Sequence, residues 1–322
     1  MTATLTTRLA PASADAIAEA ARVLARGGLV AFPTETVYGL GADATNGEAV
    51  ARLYAAKGRP SFNPLIAHVV DLAAARRLAR FTADAETLAK AFWPGPLTLV
   101  LPRSHECTVA ELATAGLDSI AIRMPSHPVA RELIKAFGKP IVAPSANQSG
   151  LVSPTAAQHV LDDLAGRIDL VIDGGSTEVG LESTIIGCLG KAALLRPGGL
   201  ARAVIEALLG HPLAEAPVEE GAPIAPGMLA SHYAPKATLR LNARDLQPGE
   251  ALLAFGPLPK GFNHAHVLNL SAHGDLVEAA ANLFSHLRAL DREAKAIAVM
   301  PIPHEGLGEA INDRLARAAA PR

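Results

Sequence analysis

The sequence predicts an α/β protein of two units, a mixed-sheet domain followed by a smaller doubly wound one, and three observations lead there. Short apolar or alternating segments of strand length recur between segments whose apolar residues stand three and four apart, the helical period. Residues 211–236 (HPLAEAPVEEGAPIAPGMLASHYAPK) carry Pro and Gly repeatedly and show neither period, which reads as an interdomain linker. Half of the 322 residues are hydrophobic, enough to fill more than one core. The expected boundaries are therefore residues 1–210, a linker over 211–236 and a second domain over 237–322.

Taken in order, residues 14–25 place Ile17, Ala20, Ala21 and Leu24 on one helical face, with Ser13 as cap and Gly27-Gly28 as stop. The tail before Ser13 reads as frayed. A strand over 29–32 halts at Pro33, which cannot continue a central ladder. Gly39 and Gly41 then read as a glycine-rich turn open to a ligand. A helix over 49–57, a strand over 65–70, and helices capped by Asp71 and Thr82 follow. Trp93-Pro94-Gly95-Pro96 reads as a turn, 97–101 as a strand and 103–118 as a polar loop. SIAIRM (119–124) alternates, so Ala121 and Arg123 share one face. Helix 128–137, strand 140–143, helix 155–165, strands near 169–172, 184–189 and 192–196, and helix 200–209 complete the first unit. Strands near 237–241, 251–255, 266–270 and 296–300 with helices near 275–291 and 308–319 form the second.

Composition removes several function classes. The formal net charge is −2 and aromatics make up 4% of residues, so neither a basic excess nor a stacking platform for nucleic acid is visible; RNA contact is a weak expectation. No apolar run reaches the roughly 18 residues of a membrane span and no signal-peptide core stands at the start, so the chain reads as cytoplasmic. Cys107 and Cys188 form neither a metal spacing nor a disulfide framework. Walker A, GxGxxG and HExxH patterns are missing, so no metal ligand is expected from the protein.

The chemistry concentrates in GGLVAFPTETVYGLGADATNGEAVARLYAAKGRPSFNPLIAH (27–68), which gathers hydroxyls, an imidazole at His68 and cations at Lys57 and Arg59. Arg59, in a loop stiffened by Pro60 and Pro64, has the planar fork that suits phosphate or carboxylate. His68 on an apolar strand reads by itself as a core histidine, and Thr36 as a local backbone partner. Arg123, followed by Met124-Pro125, is a cation held at a strand end. Ser145 in APSANQSG lacks the context of an esterase nucleophile, so Ser145 and Asn147 read as phosphate donors. EST (182–184) and RPGG (196–199) are weak signals individually.

In PTETVYGLG, KGRP, NPLIAH, WPGPLTLVL, SIAIRMPSHP, APSANQSG, ESTII and LRPGG, in that order, the chain resembles the YrdC-type domain of the threonylcarbamoyl-AMP synthases over roughly residues 10–235, and the remainder resembles the extra domain of the longer members. The resemblance implies a twisted mixed-sheet domain followed by a smaller Rossmann-like one. It assigns Thr36, His68, Arg123 and Ser183 to threonine. To ATP it assigns Lys57, Arg59, Asn63, Ser119, Ala143, Ser145, Asn147, Ser153, Arg196 and Tyr233, with no covalent catalyst and with Lys57, Arg59 and Arg123 positioning the substrates.

The implied reaction joins L-threonine and bicarbonate into a carbamate. That carbamate attacks the α-phosphate of ATP and expels pyrophosphate, with Mg²⁺ carried by the phosphates. Partner proteins of tRNA modification would use the product. HYAP (232–235), with Ala230 and Ser231 replacing bulkier or charged residues of some members, is expected to close over the nucleotide as a lid, and Tyr233→Ala to be thermally silent. Two alternatives remain at this point: an RNA-binding module, and a carbamoyl-transfer enzyme of hydrogenase maturation, whose zinc-finger cysteines this chain lacks.

Overall fold

The computed structural model describes residues 5–215, 225, 233–258 and 266–321. Most of the expected linker, including Gly227 and His232, and His264 as well, lie outside the described residues. In the first unit, β1 (Arg8–Pro11) and α1 (Ala14–Ala25) lead into the hairpin of β2 (Val30–Pro33) and β3 (Tyr38–Asp43). Then come α2 (Gly47–Lys57), β4 (Ile66–His68), α3 (Leu72–Leu78), α4 (Ala83–Phe92) and β5 (Leu97–Pro102). A 3-10 turn over Glu111–Thr114 precedes β6 (Ser119–Arg123), α5 (Pro128–Phe137), β7 (Ile141–Val142), α6 (Ala157–Leu164) and β8 (Leu170–Asp173). The unit closes with β9 (Thr184–Gly187), β10 (Ala193–Arg196), α7 (Arg202–Leu209) and β11 (Ala214–Glu215).

These strands form one mixed 11-stranded sheet in the order β1-β8-β2-β3-β7-β4-β6-β5-β9-β10-β11. The helix starts follow from capping: the side chains of Ser13, Asp71 and Thr82 accept the amide hydrogens of Ala16, Ala74 and Ala85. Two local readings of the sequence are corrected. Residues 8–11 are not frayed but pair in parallel with β8 as an edge strand. Gly39 and Gly41 are not a turn but lie in β3, neither with positive φ. Glycine is needed at 41 for space, because a Cβ there would stand 2.8 Å from Phe32 Cε1 and 3.0 Å from Ile141 Cγ2. The loop 103–118 also contains the 3-10 turn.

The period of two divides the sheet's residues between its faces. One face, with Leu40, Ala67, Leu99, Ile122 and Ile186, forms the largest core under the helices that follow β3. On the other face, α1 and α5 cover Val30, Phe32, Ile141 and Ala143. Further along that face Ile66, Val100, Ala121 and Ile185 pack with the buried Ala225. Between these two covered areas the side chains on the second face are His68, Arg123 and their neighbours.

The second unit is a four-stranded, all-parallel sheet of β12 (Thr238–Arg240), β13 (Glu250–Ala254), β14 (Val267–Asn269) and β15 (Ala296–Val299), in the order β12-β15-β13-β14. Helices α8 (Leu276–Glu293) and α9 (Gly308–Ala319) pack on the face carrying Ala251, Leu253, Ile297 and Val299. The same apolar cluster takes in Val37, Val152 and Leu181 of the first unit, so the two units share a core. Gly180 marks how close they come. Its φ is 71°, and a Cβ there would fall 2.4 Å from the Ala280 carbonyl oxygen on α8. Among the described residues no helix is long and apolar enough to cross a membrane.

Candidate active site

A narrow cleft, with about 50 Å³ open to water-sized groups, lies on the second face of the large sheet. Register builds its floor: β4 and β6 run parallel with His68 beside Arg123 and Ile66 beside Ala121. The loop after β7 supplies Ala143, Pro144 and Ser145; the strand ends supply Glu182, Ser183 and Arg196; Arg59 and Tyr233 close the rim.

At one end stands a buried ion pair. Arg123 Nη2 donates to Glu35 Oε1 at 2.8 Å, Arg123 Nε donates to the Gly95 carbonyl at 3.3 Å, and the Ser126 amide donates to Glu35 Oε2 at 3.1 Å. Burial by itself would raise the Glu35 carboxyl, but the charge and hydrogen bonds of Arg123 outweigh it and hold the group below the usual carboxylate range. The Arg123 guanidinium is thus preorganised, with no hydrogen bond from Nη1 among the described residues.

His68 Nδ1 lies 3.2 Å from the Ile66 carbonyl. A carbonyl only accepts, so the hydrogen sits on Nδ1 and leaves Nε2 as an acceptor. Burial, reinforced by the charge of Arg123, pushes this imidazole down to about 3. It is neutral at physiological pH and too weak a base to gain a proton there.

From Thr98, which stands opposite Arg123 in register, the lining continues to Ser183, whose Oγ lies 2.7 Å from Thr98 Oγ1 and whose carbonyl accepts from Arg196 Nε and Nη2 at 3.2 and 2.9 Å. Arg59 donates from Nε and Nη2 to the carbonyls of Asn63 and Pro64, which fixes its fork as the rigid loop suggested. Glu182 Oε2 accepts from Arg314 Nε at 2.8 Å, and its other oxygen from Ser153 Oγ. Tyr233, at φ 63°, is 1% exposed. Its ring stacks on Phe284 at 5.6 Å between centroids and lies 5.1 Å from the Arg314 guanidinium carbon.

The cavity therefore gathers Arg59, His68, Arg123, Ala143, Ser145, Ser183, Arg196 and Tyr233. Other residues that the resemblance assigned to ligands sit behind this lining. Lys57 is buried with Nζ donating to the carbonyls of Ser145 and Asn147, so it clamps the loop carrying Ser145. Thr36 Oγ1 is buried against Thr34 Oγ1 at 2.8 Å. Ser153 is committed to Glu182, and Ser119 begins β6 on the face of Arg123, beyond Ala121. Asn63 and Asn147 each keep a buried Oδ1 with no hydrogen-bond partner among the described residues. Sequence reasoning missed Glu35, Glu182 and Arg314. Their partners lie 88 and 132 residues away in the chain, so no local pattern could announce them.

Among the described residues, no group of three or more His, Cys, Asp or Glu is placed to hold a metal ion. Glu35 and Glu182, the carboxylates nearest the cavity, are each already engaged by an arginine.

Comparison with known proteins follows the same division into two units. Residues 22–198 match the family described as telomere recombination, and residues 200–320 match the family described as threonylcarbamoyl-AMP synthase, C-terminal domain. The threonylcarbamoyl-AMP synthase of Bacillus subtilis is 42% identical over 324 residues, covering 95% of this chain and 93% of that protein. That of Pyrococcus abyssi is 43% identical, covering 94% of each. The crystal structure of P. abyssi Sua5 complexed with L-threonine superposes with a TM-score of 0.88 at 39% identity, covering 98% of this chain and 97% of that one. With both units matched and nearly the whole length covered, the chain belongs to the threonylcarbamoyl-AMP synthase family, in its longer, two-domain form.

Proposed function

We propose that this protein is an L-threonylcarbamoyladenylate synthase, a nucleotidyltransferase that makes threonylcarbamoyl-AMP and pyrophosphate from L-threonine, bicarbonate and ATP. The observation that carries the reading is the gathering, in one cavity, of Arg123 with His68 and Ser183 and of two further cations, Arg59 and Arg196. The relatives named for this synthesis support it, and so does the threonine complex of the P. abyssi protein.

In this reading the threonine carboxylate meets Arg123, whose Nη1 is the donor not used by Glu35 or Gly95. The amino group meets His68 Nε2, which accepts a hydrogen bond without taking the proton. The ammonium proton therefore leaves to bicarbonate or water before nitrogen attacks the bicarbonate carbon, where the C–N bond forms as a C–O bond breaks and water departs to leave the carbamate. The carbamate oxygen then attacks the α-phosphorus and the bond to pyrophosphate breaks. Arg59 and Arg196 stabilise the charge that builds on the phosphates, and Ser145 donates to them. ATP, bicarbonate and two-substrate positioning all ask the same thing of the site, which is that like-charged groups be held together. Mg²⁺ would arrive with the triphosphate and neutralise part of its charge. A cytoplasmic setting and partner proteins that pass the group to tRNA belong to the same reading.

The test is pyrophosphate release with each substrate omitted in turn. Release is expected only when L-threonine, bicarbonate and ATP are all present; equal release without threonine would refute the assignment.

A further inference from the structure

Two side chains of the second domain, Phe284 and Arg314, touch residues of the cavity lining, and Arg314 alone of the two carries charge there. Arg314 on α9 is wholly buried, and each of its three nitrogens is engaged. Nε donates to Glu182 Oε2 at 2.8 Å, Nη2 to the Pro197 carbonyl at 2.9 Å, and Nη1 to its neighbour Asp313. Its guanidinium also lies against the Tyr233 ring. Arg314 is not itself part of the cavity lining, but Glu182 and Tyr233 both are. The other ion pairs between the domains are of a different kind. Among the described residues, Arg202–Glu309, Arg288–Asp163 and Arg292–Asp162 join residues that lie outside the lining, and so hold the domains together without touching the site.

We propose that Arg314 is a positioning residue: by bracing Glu182 and Tyr233 it makes the second domain a working part of the cavity, so that ATP binds productively only while that domain is docked. This rests on the cavity being the site of adenylate synthesis. The charged and titratable groups facing Glu182 are Arg196 from β10, Arg314 with Asp313 behind it from α9, and the Tyr233 hydroxyl. Burial favours the protonated acid, and the charges of Arg314 and Arg196 overcome it. With Arg314 gone, burial would be opposed only by Arg196 and the Ser153 hydrogen bond. Glu182 would then titrate at higher pH, lose its grip on Ser153 and free the Tyr233 ring.

The test is a double-mutant cycle on the full chain, read as kcat/KM for ATP in pyrophosphate release, with Arg314→Gln, Glu182→Gln and the double variant. Arg314→Gln is expected to lose roughly tenfold or more, the scale of a charge-assisted contact. The double variant should be no worse than the poorer single one, because both remove the same brace. Activity of Arg314→Gln should recover as pH rises, a response that a merely structural role would not give. Arg202→Gln, which removes a docking pair away from the lining, should retain the parent's kcat/KM and pH profile. Should Arg314→Gln not fold, Arg314→Lys keeps the buried charge and runs in the same cycle. Additive losses with an unshifted pH profile would overturn the inference while leaving the function intact. No release by the parent itself would overturn both.

Discussion

Replacing Glu35 by Gln separates stability from affinity at the buried Arg123 pair. In the parent, Glu35 and Arg123 are 6% and 5% exposed and 2.8 Å apart, so neither charge has water to fall back on. Gln is nearly isosteric but offers one acceptor where the carboxylate offered two, and it carries no charge. Removing one partner of a buried pair costs about 3–5 kcal/mol, because the other charge stays buried and uncompensated. For a domain of this size that corresponds to a fall in midpoint of roughly 6–20 °C. The threonine carboxylate should then fill the vacancy, restoring about 1.5–3 kcal/mol through charge-assisted hydrogen bonds. Glu35→Gln is thus expected to be less stable than the parent, to bind threonine more tightly, and to gain a larger thermal shift when threonine is added. The pH dependence has a fixed sign. The folded Glu35 carboxyl lies below its unfolded value, so its stabilisation is present above the unfolded pKa and is lost as pH falls through the folded one. The variant should lack that acid-side loss. Thermal unfolding at neutral and acid pH, with and without threonine, checks all of this; equal threonine shifts in the two proteins would sink the reasoning.

Three further outcomes are expected. The His68 imidazole lies near 3 when folded, below its unfolded value of about 6.5, so its contribution to stability is complete above about 6.5 and is lost as pH falls toward 3; His68→Gln should flatten the urea-unfolding free energy between pH 7.5 and pH 5, and an unchanged slope would count against the assignment. Lys57→Met removes the donors to the carbonyls of Ser145 and Asn147 and should weaken ATP binding by calorimetry about tenfold or more while sparing threonine; an equal loss of both ligands would contradict a loop clamp. Tyr233→Ala should not be thermally silent, contrary to what the sequence suggested, since it removes a ring stacked between Phe284 and Arg314 and should cost about 3–5 kcal/mol in thermal or urea unfolding.

What the chain order revealed and what it concealed follow from the range of each interaction. Helix starts were legible because a cap and its amide lie within three residues, as at Ser13, Asp71 and Thr82. The alternation of SIAIRM was enough to put Arg123 on the face opposite Ile120 and Ile122, and β6 has that arrangement. Local reasoning failed where a residue's choice answers to a distant neighbour. Gly41 looked like turn chemistry, yet it is small because Phe32 and Ile141 crowd its position from adjacent strands. Residues 8–11 show little apolar period, yet the ladder to β8 makes them a strand. Tyr233 was legible as chemistry out of place in a spacer, but not as a wedge in a shared core, because Phe284 and Arg314 arrive from the far end of the chain. The same reach explains why the second domain cannot be only a tether. Arg314 stands 132 residues from Glu182 in sequence and 2.8 Å from it in space. An ion pair buried at that junction is unfavourable to leave half-made, so the two domains and the cavity lining that Glu182 belongs to are expected to hold or loosen together.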